Sequence, residues 1–270
     1  MLLAHTTLHA PGHVPRKQAL FLHGILGRGS NWQSFARRLC ERRPEWGAVL
    51  VDLPEHGDSG RLRAEPTLAA VAAEVRSSMQ ALGGVQAVIG HSFGGKVALE
   101  LVAHAPERLR QIWVLDSSPG PRAERSPADV TRKVLAALCA LPATFASRGA
   151  FIGALEQRGI AAAVARWLAK NLVRSGDAFR FGLDLDAIAR LIADYDRQDL
   201  WPVVDAAAGH VAMRFVLAGR GSAVPASDRE RLRHLQAGRA IELYELPNAG
   251  HWLHVDDPEG LLELFAARFS

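Results

Sequence analysis

A chain of 270 residues, 49% of them hydrophobic, is long enough to bury a sizeable core as one large α/β domain or two small ones. Its 32 basic and 28 acidic side chains leave a net charge of +4, with the arginines scattered and no long run of like charges, which argues against a nucleic-acid or anionic-membrane surface. The N-terminal residues are polar with a proline by position 11, no apolar stretch approaches the ~18 residues of a membrane span, and Cys40 and Cys139 are the only thiols; a cytoplasmic chain without a membrane span, disulfide framework or cysteine metal site is expected.

Leu2 to His9 reads as a short edge strand that Pro11-Gly12 breaks, and Ala19 to Leu22 is a fully apolar run of the kind buried on both faces of a parallel sheet. Ser30 or Asn31 is placed to cap a helix from Trp32 to Arg43, and Gly47 to Leu53 is the next buried strand. After the polar turn Pro54 to Gly60, Thr67 to Leu82 has helical apolar spacing that Gly83-Gly84 ends. Gln86 leads into a strand that stops at Gly90, and a helix follows to about Ala105, where Pro106 stops it. Gln111 to Leu115 is a further strand, ending at Asp116.

The alternation then lapses. Between Pro119 and His210 lie four amphipathic segments, Ala128 to Ala140, Ala150 to Gln157, Ala161 to Leu172 and Leu185 to Tyr195, which read as a helical cap over residues 119–210 inserted between core segments 1–118 and 211–270. Met213 to Leu217 resumes the strands, Ser227 to Leu235 is helical, Ile241 to Leu246 is the last strand, and Glu259 to Phe269 closes the chain. Strands alternating with helices predict an α/β fold, a mostly parallel sheet covered on both faces, with its site at the carboxyl ends of the strands.

Gly90-His91-Ser92-Phe93-Gly94-Gly95-Lys96 joins strand to helix through Gly-x-Ser-x-Gly, the spacing of a nucleophile elbow that lifts a serine hydroxyl above the sheet. The same residues imitate a phosphate loop, but Val97 stands where the magnesium-ligating hydroxyl of G-x-x-x-x-G-K-[ST] belongs, so nucleotide binding is the lesser reading. A serine needs a base, and a base needs a carboxylate to fix its tautomer. His251, in Asn248-Ala249-Gly250-His251-Trp252 directly after the last strand, is placed to return an imidazole over the sheet edge; a zinc pair with His254 lacks a third ligand at a recognisable spacing.

The usual acid position follows the strand Met213 to Leu217, and the segment there, Ala218 to Pro225, contains no carboxylate. Asp116 is the nearest topological substitute, and Asp228, in the first turn of a helix, is the runner-up. The backbone amides of Ile25 and Phe93 are the candidate oxyanion donors. His23, Gly24 and Trp252 are expected to border the substrate, with His23, His56 and His91 themselves hydrogen-bonded within their turns.

His23-Gly24, Asp52-x-x-x-His56-Gly57-x-Ser59, Gly90-x-Ser92-x-Gly94-Gly95 and Gly250-His251-Trp252 together resemble the α/β-hydrolase fold superfamily over nearly the whole chain. The elbow, Leu115 to Pro119, Phe179 to Asp184 and the tail through His254 resemble its acyl-esterase branch, which includes bacterial short-chain esterases and mitochondrial abhydrolase-domain proteins. The resemblance implies a serine hydrolase of small-molecule carboxylic esters or thioesters, working through an acyl-enzyme without metal or cofactor. Some members place the acid where Asp116 stands. Pro54-Glu55-His56 departs from the common Arg-Asn-His or Pro-Gly-His, and Gly221-Ser222 replaces the usual acid. Carbon-carbon bond hydrolases and menaquinone-pathway lyases share the constellation and stay open, whereas dehalogenases and epoxide hydrolases need an aspartate in place of Ser92.

Overall fold

Side-chain alternation along the apolar strands divides the interior in two. The computed structural model describes residues 2–104, 108–122, 130–207, 210–238 and 240–269. In it β1 (His5–Leu8), β2 (Lys17–Leu22), β3 (Trp46–Val51), β4 (Val85–His91) and β5 (Gln111–Leu115) join two later strands, β8 (Ala212–Ala218) and β9 (Glu242–Leu246), in one sheet. The order is β1-β3-β2-β4-β5-β8-β9, with β1 antiparallel to β3 and every other pairing parallel. Leu20, Leu22, Val88, Ile112, Val114, Phe215 and Leu217 face one core, and Ala19, Phe21, Ala87, Ile89, Trp113, Leu115 and Val216 the other.

The second core is closed by α1 (Gln33–Arg42) and α11 (Pro258–Arg268), where Trp113 stacks on Phe265 at 4.1 Å between ring centres. The first is covered by α2 (Leu68–Leu82), α3 (Phe93–Ala103), α9 (Ala226–Ala237) and the insertion. Thr67 caps α2 by accepting from Ala70 N at 3.2 Å, and Gly83 ends it in the left-handed conformation, φ 72°. Asn31 Oδ1 accepts from Arg28 N at 2.7 Å and so closes a 3-10 turn, Gly29–Trp32, rather than capping α1 directly. The expected stop at Ala105-Pro106 and the start at Ala128 lie outside the described residues. No helix among the described residues is long and apolar enough to cross a membrane.

The insertion is not purely helical, which corrects the sequence expectation. Four segments do form α4 (Val130–Cys139), α5 (Arg148–Glu156), α6 (Ala162–Leu168) and α7 (Leu185–Arg197), and α8 (Trp201–Ala207) follows. The segment read as one helix from Ala161 to Leu172 gives way to a 3-10 turn, Ala169–Asn171, and then to an antiparallel hairpin, β6 (Leu172–Ser175) with β7 (Ala178–Phe181). Four-residue strands carry too little alternation to read. The turn Ser175-Gly176-Asp177 between β-branched and aromatic residues is the local signal, with Gly176 at φ 61°. For α8 the signal was Asp199, whose carboxylate accepts from Trp201 N at 3.1 Å, with Pro202 in the first turn.

Candidate active site

Between β4 and α3, Ser92 adopts φ 52° and ψ −115°, a conformation costing roughly 1–3 kcal/mol for a residue with a side chain. Its amide donates to Leu115 O at 3.0 Å and its carbonyl accepts from Gly95 N at 2.9 Å, so both flanking peptides are fixed. The sharp reversal demands glycine on either side: a Cβ on Gly90 would enter the Gly94 carbonyl, and one on Gly94 would lie 2.7 Å from Leu22 O and His23 O. Phe93, as the first residue of α3, has no helical carbonyl for its N–H.

The segment after β2 comes up beside this serine. A Cβ on Gly24 would sit 3.4 Å from Ser92 Cβ and 3.2 Å from His91 Nδ1. Gly24–Gly27 is a tight turn closed by Gly27 N donating to Gly24 O at 3.0 Å, with Ile25 and Leu26 at its centre and Leu26 at φ 62°. Positive φ at the second central residue is the type II geometry, normally a glycine position. Leu26 N donates to His56 Nε2 at 3.1 Å, and His56 Nδ1 donates in turn to Pro54 O at 2.9 Å. Burial, with His23 next to it, pushes the His56 pKa down to about 3, so the ring is neutral and its Nε2 is a true acceptor. This leaves the Ile25 amide without a hydrogen-bond partner among the described residues.

His23, expected to border the substrate, is committed to its own turn and to the loop after β3. The ring is buried, Nδ1 donates to Gly24 O at 2.8 Å, and Nε2 accepts from Leu53 N at 3.0 Å; burial lowers its pKa to about 4. Both nitrogens are spent on main chain, as with His56. His91, also buried, donates through Nε2 to the carbonyl of His251 at 2.7 Å and so ties β4 to the last loop. Burial first, then the neighbouring His251 and His254, keep the His91 ring neutral.

Asp116 follows β5 at φ 45° and is completely buried. Its Oδ2 accepts from His251 Nδ1 at 2.7 Å and from Ala223 N at 2.9 Å, and its Oδ1 accepts from Ala218 N at 3.1 Å and from the Ser222 hydroxyl. Burial alone would raise this carboxyl, but the His251 contact and charge, with the Ala223 and Ser222 donors, hold it below the usual carboxylate range. The loop after β8, which has no acid, therefore supplies donors that receive one from the neighbouring strand. An ionised carboxylate can only accept, so His251 carries its proton on Nδ1 and presents Nε2 as an acceptor. His91, the residue before Ser92, binds the His251 carbonyl, and no hydrogen bond joins Ser92 Oγ to His251 among the described residues.

Ser222, a partner of Asp116, is not legible as one in the sequence, where Gly221-Ser222 shows only the lack of an acid. Asp228 instead binds the Ser118 hydroxyl from the first turn of α9 and stays away from His251. Trp252 packs against Trp167 of α6 with ring centres 5.8 Å apart, joining the last loop to the insertion. Lys96, the residue of the phosphate-loop reading, is fully buried and donates to Gly120 O and Tyr195 O at 2.8 Å and to Gln198 O at 2.9 Å. All three of its protons are taken by carbonyls, leaving none for a phosphate. Glu55, the departure in the third motif, sits at φ 65° with its carboxylate accepting from Leu62 N at 2.7 Å.

The model of the alpha/beta hydrolase family matches residues 19–264. Over 250 residues the chain is 27% identical to sn-1-specific diacylglycerol lipase ABHD11 of Mus musculus, a match covering 90% of this chain and 78% of that protein. Among solved structures, a marine microorganism esterase superposes with a TM-score of 0.84 at 23% identity, over 98% of both chains. The thioesterase domain from the curacin biosynthetic pathway does so with a TM-score of 0.70 at 20% identity, over 97% of this chain and 94% of the other. These two are likenesses of fold.

Proposed function

Since this chain belongs to the alpha/beta hydrolase family, we propose that it is a serine hydrolase cleaving carboxylic esters or thioesters of small to medium acyl chains through an acyl-enzyme. Ser92 is the nucleophile, His251 the base and Asp116 the acid. Ser92 Oγ attacks the acyl carbon as His251 Nε2 takes its proton, and Asp116 stabilises the imidazolium that forms. The oxyanion is received by the Ile25 and Phe93 amides. His251 then protonates the leaving alcohol or thiol, and a water activated by the same imidazole releases the acid. Residues 119–210 serve as the cap that selects the acyl chain. No metal or cofactor is called upon.

The observation that carries this reading is the 2.7 Å bond from His251 Nδ1 to a buried carboxylate that also receives the β8 loop's donors. Such a carboxylate orients the imidazole with Nε2 available as a base; the contact between serine and base is commonly long before substrate arrives and shortens in the reacting complex. The diacylglycerol lipase relative makes acylglycerols the first natural esters to try. The test is a panel of p-nitrophenyl esters, acyl-CoA thioesters and diacylglycerols, with active-site labelling by a fluorophosphonate. Ser92 should be the labelled residue, and Ser92→Ala should abolish both labelling and turnover. Labelling elsewhere, or full turnover by Ser92→Ala, refutes the assignment.

A further inference from the structure

The turn that presents the Ile25 amide is held from two sides, and one of them is the cap. Asn171, buried in the 3-10 turn before β6, donates through Nδ2 to Leu26 O at 2.8 Å. Its own carbonyl accepts from Gly182 N at 2.9 Å, where the hairpin returns to the body of the cap. Next to this contact, Arg28 Nη1 donates to Lys170 O at 3.4 Å while the same guanidinium pairs with Asp58 at 2.8 Å. Leu26 is thus bound at both ends of its residue, its N–H by His56 from the loop after β3 and its carbonyl by Asn171 from the cap.

That double attachment matters because the conformation it holds is not one leucine prefers. A turn with central φ values of type II differs from type I by a rotation of the peptide between Ile25 and Leu26. Rotating that peptide would pull Leu26 N from His56; turning the next one would pull Leu26 O from Asn171. The Ile25 N–H belongs to the Gly24–Ile25 peptide of the same four-residue turn, which Gly27 N closes on Gly24 O at 3.0 Å, so loosening the turn at either bond loosens the frame that carries this amide. A leucine at φ 62° persists only where its surroundings over-determine it.

We propose that Asn171 is a positioning residue: by binding Leu26 O it keeps the Ile25 amide directed at the reacting carbonyl, and so makes the oxyanion hole complete only while the cap is seated on the core. This rests on the serine-hydrolase reading above. It adds a link that the triad alone does not contain, between the cap and the electrostatics of the reaction.

The test uses the full chain with p-nitrophenyl acetate, whose acyl group is too short to report on an acyl-chain pocket. Asn171→Asp keeps the size but sets a carboxylate against a carbonyl, and Asn171→Ser leaves a donor too short to reach. Loss of a whole oxyanion donor costs about 10²–10³ in turnover; a donor that is loosened rather than removed should cost about ten- to a hundredfold in kcat, with KM changed less than threefold. The rate of serine phosphorylation by diethyl p-nitrophenyl phosphate, which uses the same hole and expels p-nitrophenolate, should fall in parallel. Amide hydrogen exchange in the 24–27 segment should quicken. Leu26→Gly, which adopts positive φ without strain, should restore most of the loss in the Asn171→Asp background.

Wild-type kcat in both Asn171 variants, a loss confined to KM, or no recovery with Leu26→Gly in a variant shown to be folded would overturn the proposal. Asn171→Ser carries the same test if Asn171→Asp does not fold. A wild type inert toward every ester and unlabelled by the phosphonate refutes the hydrolase reading, whereas an active wild type indifferent to Asn171 refutes only this clamp.

Discussion

Replacing Asp116 by asparagine changes one atom and tests the whole of the proposed catalytic arrangement. The two carboxylate oxygens meet different donors: Oδ2 faces His251 Nδ1 and Ala223 N, and Oδ1 faces Ala218 N and the Ser222 hydroxyl. An amide must place its NH2 on one side. Set toward Oδ2, it opposes the Ala223 amide and forces His251 to accept at Nδ1, which moves the proton to Nε2 and removes the base. Set toward Oδ1, it keeps the tautomer but opposes the Ala218 amide. Either orientation leaves a buried donor unmet, at about 1–3 kcal/mol, and both lose the charge that stabilises the imidazolium. The expected result is a fall in kcat of about 10³–10⁴ with about 1–3 kcal/mol less stability, read by p-nitrophenyl acetate turnover and urea unfolding. Asp228→Asn should stay within a few-fold of wild type and cost about 0.3–1 kcal/mol, the worth of a helix N-terminal carboxylate. If Asp116→Asn kept wild-type turnover and Asp228→Asn lost it, the acid assignment would be wrong.

Ser92→Gly should abolish turnover and raise stability by about 1 kcal/mol, because glycine accepts φ 52° without strain; an unchanged or lowered unfolding midpoint would contradict that. Acid should unfold the protein early. His23, His56 and His254 have pKa values of about 4, 3 and 4 in the folded chain against 6.5 unfolded, so below pH 6.5 the unfolded state takes up protons the folded state refuses, and stability present above pH 6.5 is lost as pH falls. At pH 5 each accounts for roughly 2 kcal/mol; urea unfolding at pH 7 and pH 5 should show the drop, and His254→Phe, which keeps the stack on Trp32 at 4.2 Å, should reduce it. Equal stability at the two pH values would oppose this. Trp167→Ala removes the contact with Trp252 and should lengthen the longest acyl chain accepted, each added methylene contributing about 0.8 kcal/mol, or fourfold in kcat/KM; an unaltered chain-length profile counts against the cap as selector.

What could be read from the residues was what periodicity and rigid motifs encode. The strands from Ala19 to Leu22 and from Gln111 to Leu115 are continuous apolar runs, and Thr67 and Gly83 mark the ends of α2 by their own capping chemistry. The elbow was legible because only glycine fits beside Ser92. The hairpin of the insertion was not, since its strands are four residues each. Nor were the contacts that join distant segments: Asn171 to Leu26, Lys96 to the carbonyls of Gly120, Tyr195 and Gln198, and Ser222 to Asp116. Lys96 looked like a phosphate ligand because residue type and spacing say nothing about where a long side chain points. Ser222 was invisible because a polar residue in a glycine-rich turn has a sufficient local reason to be there.

Strain is distributed in a way that bears on how this edge of the sheet works. The non-glycine residues at positive φ among the described residues are Leu26, Glu55, Ser92 and Asp116. They follow β2, β3, β4 and β5 in turn, always at the carboxyl end, so the unfavourable backbone is concentrated where the proposed site lies. At roughly 1–3 kcal/mol each, their combined cost is comparable to the 5–15 kcal/mol by which a domain is stable at all. Glycine would remove it at every one of these positions. Each side chain has a use that opposes the substitution: Leu26 is buried in the core, Glu55 receives the Leu62 amide, Asp116 receives four donors, and Ser92 carries the hydroxyl. For three of the four the bonds that hold these conformations come from other elements, His56 and Asn171 for Leu26, Leu115 for Ser92, Val216 and the β8 loop for Asp116, whereas Glu55 is held within its own loop by Gly60 O and the Leu62 amide. At these three positions the strained edge is therefore held by the assembled sheet and insertion, which makes the proposed site a product of the tertiary fold and not of any one of its loops.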